Sequence, residues 1–158
     1  PIYIYTDGSC LENGMQSARA SGAAWFGQND RRNRSALVDK KWRQSNNTGE
    51  ITGMLLALPE IEKITNKNVT IVSDSAYAIG YASGTGKKCQ ACVADNWSKD
   101  IPNKELVRLL YSSYAKLPNV TFKHVRAHTG KTDAHSQGNS QADALAKSAL
   151  SPAYARRE

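Results

Sequence analysis

The feature that most constrains the fold is an apolar N-terminal segment that ends in a carboxylate. Residues Ile2–Asp7 are β-branched and aromatic, with apolar side chains at both parities. This pattern is typical of a central strand that is buried on both faces. A second short segment of the same character, Val69–Asp74, also ends in an aspartate. The two segments predict an α/β fold in which two strands of one sheet carry carboxylates.

The remaining patterns predict the other strands of this sheet and the helices that cover it. In chain order these are strands near Gly22–Gly27 and Ala36–Arg43, helices from about Thr48, over Ser75–Ala82 and over roughly Asn103–Ala115, a strand over Val120–Val125, and a final helix after a loop at Ala127–Gly138. Pro59 predicts that the first helix kinks or ends near Leu58. The order β-β-β-α-β-α-α-β-α implies a five-stranded mixed sheet, an antiparallel meander followed by parallel crossovers.

Length and composition favour one domain. The chain has 158 residues, of which 40% are hydrophobic and 22% charged, enough to close a single core. We assign residues 1–150 to this domain and expect 151–158 to form a flexible C-terminal tail. No run of eighteen apolar residues occurs, so we expect no membrane span. The chain begins with Pro1 rather than methionine, which fits either release from a longer polyprotein or a trimmed boundary.

The cysteines indicate a reducing compartment. The chain has only three cysteines, Cys10, Cys89 and Cys92, and this small, odd number is not typical of a disulfide framework. We therefore expect an intracellular protein, in the cytoplasm or nucleus, or in a virion if a virus encodes it. A zinc site at the Cys89–Cys92 pair would need two further soft ligands, so we interpret these residues as ordinary loop thiols.

The positive charge is concentrated in one part of the chain. The net charge is +7, and the segment Lys87–Lys131 holds nine basic residues against three acidic ones, so +6 of the +7 lies there. A solubilising surface is the plainest explanation of a charged stretch. A one-sided excess on an otherwise nearly neutral domain instead favours a polyanionic partner, with nucleic acid first.

Four carboxylates are candidates for a metal site. Strand-end residues Asp7 and Asp74 would meet where the strand order reverses, and Glu50 and Asp143 are each expected in or near the first turn of a helix. Four converging carboxylates repel one another unless cations are bound, and such oxygen ligands suit Mg²⁺ or Mn²⁺. Two such ions can promote phosphodiester hydrolysis. Composition alone does not show that the four residues converge.

Ordered motifs in the chain resemble those of the type 1 ribonuclease H family. They are TDGSCL at Thr6–Leu11, NNTGE at Asn46–Glu50, SDS at Ser73–Ser75, and HTG at His128–Gly130 followed by GNSQAD at Gly138–Asp143. The resemblance extends from about Ile2 to Leu150. It implies a ribonuclease-H-like fold and an endonuclease that hydrolyses the RNA strand of RNA–DNA hybrids by a two-metal mechanism, giving 5′-phosphate and 3′-hydroxyl products.

The resemblance also implies roles for individual residues. Asp7, Glu50, Asp74 and Asp143 would be ligands of two Mg²⁺ ions, which Mn²⁺ could replace. His128 would transfer a proton near the leaving group or assist product release. The residues that match hybrid-contacting positions of the family are Cys10, Asn13, Asn46 and Asn47 in the minor groove, with Ser45 and Asn139 on the DNA side.

The segment Gly84–Lys104 corresponds to a basic helical protrusion that grips the hybrid in many family members. Its expected contacts are Lys87, Lys88, Lys99 and Lys104. Trp97 would either line a deoxyribose channel or anchor the segment. Ala76 departs from the family, which often has glutamine there, so one minor-groove contact to the ribose is expected to be missing.

Two other functions remain open at this point. One is a different nuclease on the same fold, such as a transposase, integrase or proofreading exonuclease, although the TDGS block disfavours these. The other is a hybrid-binding module without activity, although no ligand position is lost. The partner is expected to be an RNA–DNA hybrid, the protein a monomer, and the chain either a stand-alone enzyme or a domain of a polyprotein or reverse transcriptase.

Overall fold

A computed structural model describes residues 1–150, and the expected tail at 151–158 lies outside the described residues. The strands are β1 (Ile2–Leu11), β2 (Arg19–Trp25), β3 (Arg34–Leu37), β4 (Val69–Ser73) and β5 (Val120–His124). The helices are α1 (Asn46–Ile61), α2 (Ala76–Ser83), α3 (Lys87–Ala94), α4 (Lys104–Ala115) and α5 (Ala134–Ala149). Across residues 1–150, no helix combines the length and the apolar character needed to cross a membrane.

The five strands form one mixed sheet in the order β3-β2-β1-β4-β5. The β1–β2 and β2–β3 pairs are antiparallel, whereas β1–β4 and β4–β5 are parallel. The predicted fold class is therefore confirmed, with β1 at the centre. The main core includes Ile4, Ile51 and Leu110, all fully buried. A smaller cluster contains Tyr5 of β1 and Ala142 of α5.

Strand β1 is longer than predicted, because Asp7 does not end it. Its parallel pairing with β4 stops at the pair Tyr5–Val72, but β1 continues to Leu11 alongside β2. Asp7 therefore marks the end of the parallel pairing rather than the end of the strand. The sequence pattern could not show this, because the antiparallel partner supplies hydrogen bonds to a segment that is polar and contains glycine.

The strands after β1 also differ from the prediction. β2 lies three residues earlier than predicted at its start, and β3 ends at Leu37 instead of reaching Arg43. Beyond β3 the Val38 N–H still donates to the Ala20 carbonyl at 2.8 Å, and the side chain of Gln44 then takes over from the backbone. Its Oε1 accepts from the Ala20 N–H at 2.9 Å, and its Nε2 donates to the Val38 carbonyl at 3.3 Å.

Helix α1 passes through Pro59 instead of ending before it. The proline removes only its own N–H, and the Glu62 N–H still donates to the Leu58 carbonyl at 2.9 Å. Ile61, beyond the proline, is fully buried, and this burial favours continuing the last turn. At the other end, Ser45 caps the helix by accepting from the Thr48 N–H at 3.2 Å.

Helix α5 begins at Ala134, so the preceding loop is shorter than predicted. Asp133 caps the helix by accepting from the Ser136 N–H at 3.2 Å. Gly138 lies inside the helix, where a Cβ would approach the Tyr5 ring to 2.4 Å. The glycine that suggested a loop is therefore a point of close packing between α5 and β1.

Helix α3 begins at Lys87 and was missed by the hydrophobic pattern, although the family resemblance places a basic helical protrusion in this segment. The expectation of loop thiols was wrong for the same reason. Cys89 and Cys92 lie in α3 with only 1% and 9% of their surface exposed, packed into the core. Within residues 1–150 all three cysteines are unpaired.

Candidate active site

Three of the four predicted carboxylates converge. Asp7 comes from β1, Glu50 from α1 and Asp74 from the end of β4, and one ligand oxygen of each lies within 4.8 Å of the others. The last parallel pair of β1 and β4 is Tyr5–Val72, so Asp7 and Asp74 each follow it by two residues. Their shared register brings them to the same point of the sheet.

Two carboxylates of this cluster, those of Asp7 and Glu50, resist ionisation. Burial, then the charge of the nearby Asp74, raises the pKa of Asp7 to about 8, against the opposing effect of the Gly8 N–H that donates to it at 2.9 Å. Burial also raises the pKa of Glu50 well above its usual range, with the charges of Asp7 and Asp74 adding to the effect. Without a counter-charge, the cluster therefore holds protons at neutral pH.

Glu50 lies in the second turn of α1, not the first as predicted, because the helix starts at Asn46. A favourable interaction with the helix dipole, which acts mainly within the first turn, therefore does not explain the position of Glu50. Its Oε1 is buried and has no hydrogen-bond partner within the described residues. A buried acceptor without a donor is costly, and a divalent cation would satisfy it. The three carboxylates thus fit an oxygen-preferring metal ion.

Asp143 is near this cluster but is not one of its three converging members. It lies in the third turn of α5 rather than the first, because α5 starts at Ala134. Its Oδ2 is 3.1 Å from the Lys147 ammonium. Its charge contributes to the raised pKa of Asp7, which places it within electrostatic reach of the site.

Asn139 supports the cluster from α5. Its Nδ2 donates to Asp74 Oδ2 at 3.2 Å, and the residue is only 4% exposed. Its Oδ1 is buried and has no partner within residues 1–150. This hydrogen bond connects Asn139 to a carboxylate of the cluster, and the DNA contact predicted for Asn139 stays a prediction.

His128 lies in the loop between β5 and α5. It is exposed, and its backbone is left-handed with φ 53°. Among residues other than glycine this conformation is uncommon, and histidine is enriched in it together with asparagine and aspartate. Within residues 1–150 no hydrogen bond to the imidazole of His128 is seen.

The predicted asparagines line a polar groove at the start of α1. Asn13, Asn46 and Asn47 border this groove, which has a volume of about 690 Å³. Asn13 Oδ1 accepts from the Asn46 N–H at 3.0 Å, which ties the loop after β1 to the start of α1. Ser45 also lines the groove while capping α1. Cys10 is half-buried, and its thiol faces the Leu11 carbonyl at 3.5 Å.

The basic segment presents its lysines around a second cavity. Lys87, Lys88 and Lys99 are exposed, and Lys104 is half-buried at the start of α4. Lys88 and Lys99 line a cavity of about 510 Å³ that also reaches Asn47. The basic side chains therefore lie beside the groove of asparagines.

Trp97 is an anchor in this structure. It is 7% exposed, with its ring centroid 6.4 Å from that of Tyr81 and 6.1 Å from that of Tyr111. The Arg108 guanidinium lies 5.9 Å from the same ring. The sequence left two roles for Trp97, lining a deoxyribose channel or anchoring the basic segment. The packing favours the second, because Trp97 attaches this segment to α2 and α4.

The sequence reasoning missed three residues at this site. Arg43 and Asn103 line the groove of asparagines, and Lys147 pairs with Asp143. The i, i+4 spacing of Asp143 and Lys147 could have indicated their contact. Nothing local indicated Arg43 or Asn103, because they reach the groove from separate parts of the chain.

Sequence comparisons match the chain to known proteins. The sequence model of the RNase H family matches residues 1–151. The chain is 33% identical over 145 residues to Ribonuclease H of Schizosaccharomyces pombe, an alignment that covers 91% of this chain and 51% of that protein. It is 26% identical over 150 residues to Ribonuclease H1 of Rattus norvegicus, covering 92% and 49%. The chain therefore spans about half the length of the curated relatives it matches.

Solved structures show the same fold. The solution structure of the PFV RNase H domain superposes with a TM-score of 0.71 at 19% identity, covering 93% of this chain and 92% of that one. LC11-RNase H1, solved in complex with an RNA/DNA hybrid, superposes with a TM-score of 0.65 at 21% identity, covering 98% and 99%. At these identities the likeness concerns the fold.

Proposed function

The chain belongs to the RNase H family, and we propose that it is a metal-dependent endonuclease that hydrolyses the RNA strand of RNA–DNA hybrids. The observation that carries this proposal is the convergence of Asp7, Glu50 and Asp74 within 4.8 Å. A similar fold, that of LC11-RNase H1, has been solved with an RNA/DNA hybrid, which supports the choice of substrate. The products would be 5′-phosphate and 3′-hydroxyl ends.

The carboxylates would act as metal ligands. Asp7, Glu50 and Asp74 would hold divalent cations, with Asp143 as a fourth ligand in place of its contact with Lys147. We propose two Mg²⁺ ions, with Mn²⁺ as a substitute. When bound, such ions activate water and stabilise the charge that develops on the leaving oxygen.

The protein's own groups would prepare this site. The raised pKa values of Asp7 and Glu50 mean that cation binding releases protons, so the affinity for cations increases as the pH rises from acid to neutral. Asn139 would keep Asp74 in its ligand orientation through the 3.2 Å hydrogen bond. His128 would exchange a proton at the leaving group or assist product release.

The groove of asparagines would recognise the hybrid. RNA differs from DNA by its 2′-hydroxyl, which both donates and accepts hydrogen bonds. Amide side chains offer both functions. Asn46 and Asn47 present them one helical turn before Glu50, and Asn13 presents them from the loop after β1. Ser45, which also lines this groove, would add a contact there, and Cys10 would add another contact to the hybrid. The chain would bind as a monomer, alone or as part of a polyprotein or reverse transcriptase.

Cleavage of a labelled hybrid by this chain alone tests the proposal. We expect Mg²⁺-dependent cuts within the RNA strand, no product in EDTA, and no cleavage of duplex DNA of the same sequence. Binding of the hybrid without cleavage in either Mg²⁺ or Mn²⁺ would instead identify an inactive binding module. Cleavage of duplex DNA at a comparable rate would indicate a nuclease of another class.

Replacing Lys87, Lys88, Lys99 and Lys104 together with glutamine should raise KM far more than it lowers kcat. These lysines lie apart from the carboxylates, so they should stabilise bound substrate and transition state equally. Each lost phosphate contact should reduce the slope of log affinity against log salt by roughly 0.9. The measurement is hybrid binding across a salt series, with Ca²⁺ in place of Mg²⁺ to prevent cleavage.

A matched pair of variants provides the control for this experiment. Lys67 and Lys116 precede the parallel strands β4 and β5, whereas Asp74 follows the other end of β4. The two lysines therefore lie at the opposite end of these strands from the carboxylates. Their double glutamine variant should keep the parental slope, whereas the Lys87 and Lys88 double variant should not. An unchanged slope in the quadruple variant would show that the basic segment is only a solvated surface.

A further inference from the structure

Four glycines bring the backbone of α1 into direct contact with the sheet. They are Gly8 in β1, Gly22 in β2, and Gly49 and Gly53 in α1, which together we call the glycine seam. A Cβ at these positions would lie 2.3, 2.3, 2.6 and 2.7 Å, respectively, from a backbone atom of the facing element. None of the four has a positive φ. The seam therefore requires glycine because of the close approach, not because of backbone conformation.

The contacts in the glycine seam connect the two residues whose carboxylates must meet. A Cβ on Gly8, next to Asp7, would lie 2.3 Å from the Glu50 nitrogen. A Cβ on Gly53, one turn after Glu50, would lie 2.7 Å from the Asp7 carbonyl oxygen. Each carboxylate-bearing residue is thus in backbone contact with a glycine of the opposite element, so no side chain separates the two.

Local stability does not explain these glycines. Glycine is less favourable than alanine inside a helix, and it also weakens strand interiors. Gly49 and Gly53 both lie inside α1. If α1 only had to cover an apolar sheet, alanine and a slightly larger separation would serve. The close approach instead places Glu50 Oε1 in a buried position without a partner within the described residues, where a cation could meet it.

We propose that the glycine seam positions the metal site by setting the separation between the backbones that carry Asp7 and Glu50. Gly49 and Gly53 are then positioning residues, which act through Glu50 and contact no substrate. This inference rests on the proposed function, since it concerns the cation that those carboxylates would hold. It adds that a distance between main chains, and not the ligand side chains alone, determines cation affinity.

The Gly53→Ala substitution changes this distance and leaves every ligand in place. Its Cβ would lie 2.7 Å from the Asp7 carbonyl oxygen, and ordinary contact begins at 3.4 Å, so α1 must move outward by about 0.7 Å. Changes around metal ligands of this kind typically weaken binding by about 10- to 100-fold. We expect a loss of Mn²⁺ affinity in that range, with alanine's higher helix propensity partly offsetting any loss of stability.

Titration calorimetry with Mn²⁺, combined with urea unfolding in EDTA, tests the proposal. The matched control is Gly86→Ala, since its Cβ would lie 2.9 Å from the Gly80 Cα, a similar clash between α2 and α3. We expect Gly53→Ala to lose Mn²⁺ affinity and Gly86→Ala to keep it, at comparable unfolding free energies. A crystal structure of Gly53→Ala should show a wider gap between the Asp7 and Glu50 carboxylates.

Two results would overturn the proposal. One is parental Mn²⁺ affinity in both Gly53→Ala and Gly49→Ala, whose Cβ would lie 2.6 Å from the Ser21 carbonyl oxygen. The other is failure of both of these variants to fold while Gly86→Ala folds, because the seam would then serve folding alone. The proposed function is tested separately, by hybrid cleavage with the parent protein.

Discussion

The Asp7→Asn variant should lose cleavage of the hybrid by at least about 10³-fold while keeping its fold, comparable with the removal of a principal stabiliser of transition-state charge. The substitution removes a ligand charge but hardly changes the side-chain volume. Asp7 is also 4% exposed at the centre of the converging carboxylates, so neither solvent nor a surface side chain can take its place. The measurement is the initial rate of hybrid cleavage in Mg²⁺ at pH 8.

The same variant should be more stable than the parent protein in EDTA, increasingly so as the pH rises. The pKa of Asp7 is raised to about 8 in the folded protein, whereas an unfolded aspartate titrates near 4. Between these values the folded state binds more protons, so the parent loses stability as the pH increases. Urea unfolding at pH 5 and pH 8 measures the difference. Equal stabilities at pH 8, or substantial activity in Mg²⁺, would show that Asp7 does not have this role.

The His128→Asn variant should slow cleavage by about 10²- to 10⁴-fold without eliminating it. General acid–base assistance typically contributes a factor of this size, and the carboxylate site would remain complete. Asparagine is the appropriate replacement because it tolerates the left-handed backbone of His128, where φ is 53°. The measurement is kcat across pH 6–9 in saturating Mg²⁺.

Two further variants identify the cause of any loss at His128. His128→Ala removes the same imidazole but adds backbone strain, so agreement between it and His128→Asn assigns the loss to the side chain. His135→Asn is a control in the first turn of α5, where the imidazole Nδ1 shares a hydrogen bond of 2.9 Å with the Tyr5 hydroxyl. If the kcat of His128→Asn equalled that of the parent at every pH, the proposal that His128 transfers a proton would be wrong.

The sequence predicted the sheet well where burial alone decides the pattern. Hydrophobic patterns predicted two strands that end near Asp7 and Asp74 and a helix over roughly Asn103–Ala115. The observed elements β1, β4 and α4 match these predictions except at their ends. Predictions failed where a distant group completes the hydrogen bonding. The side chain of Gln44 ends β3 early because it bonds to the Ala20 N–H and the Val38 carbonyl. No local sequence pattern predicts such a contact.

Glycine and proline misled the prediction at two positions because their effect depends on what faces them. Gly138 was assigned to a loop, yet it lies in α5 against the Tyr5 ring. Pro59 was expected to kink or end α1 near Leu58; the helix instead continues to Ile61, whose burial favours the last turn. Glycine in a helix costs about 1 kcal/mol relative to alanine. The burial of one large apolar side chain stabilises the fold by about 1.5–3 kcal/mol and can outweigh that cost.

The sequence by itself determined the family, the order of the strands along the chain and the identity of the candidate ligands, because motifs and periodicity are properties of neighbouring residues. Only the tertiary structure decided how those ligands meet. The parallel register of β1 and β4 aligns Asp7 with Asp74, and the glycine contacts hold Glu50 beside them. The structure also pairs Asp143 with Lys147 and directs Asn139 to Asp74. These arrangements depend on distances between segments far apart in the chain, which side-chain identity and spacing do not specify.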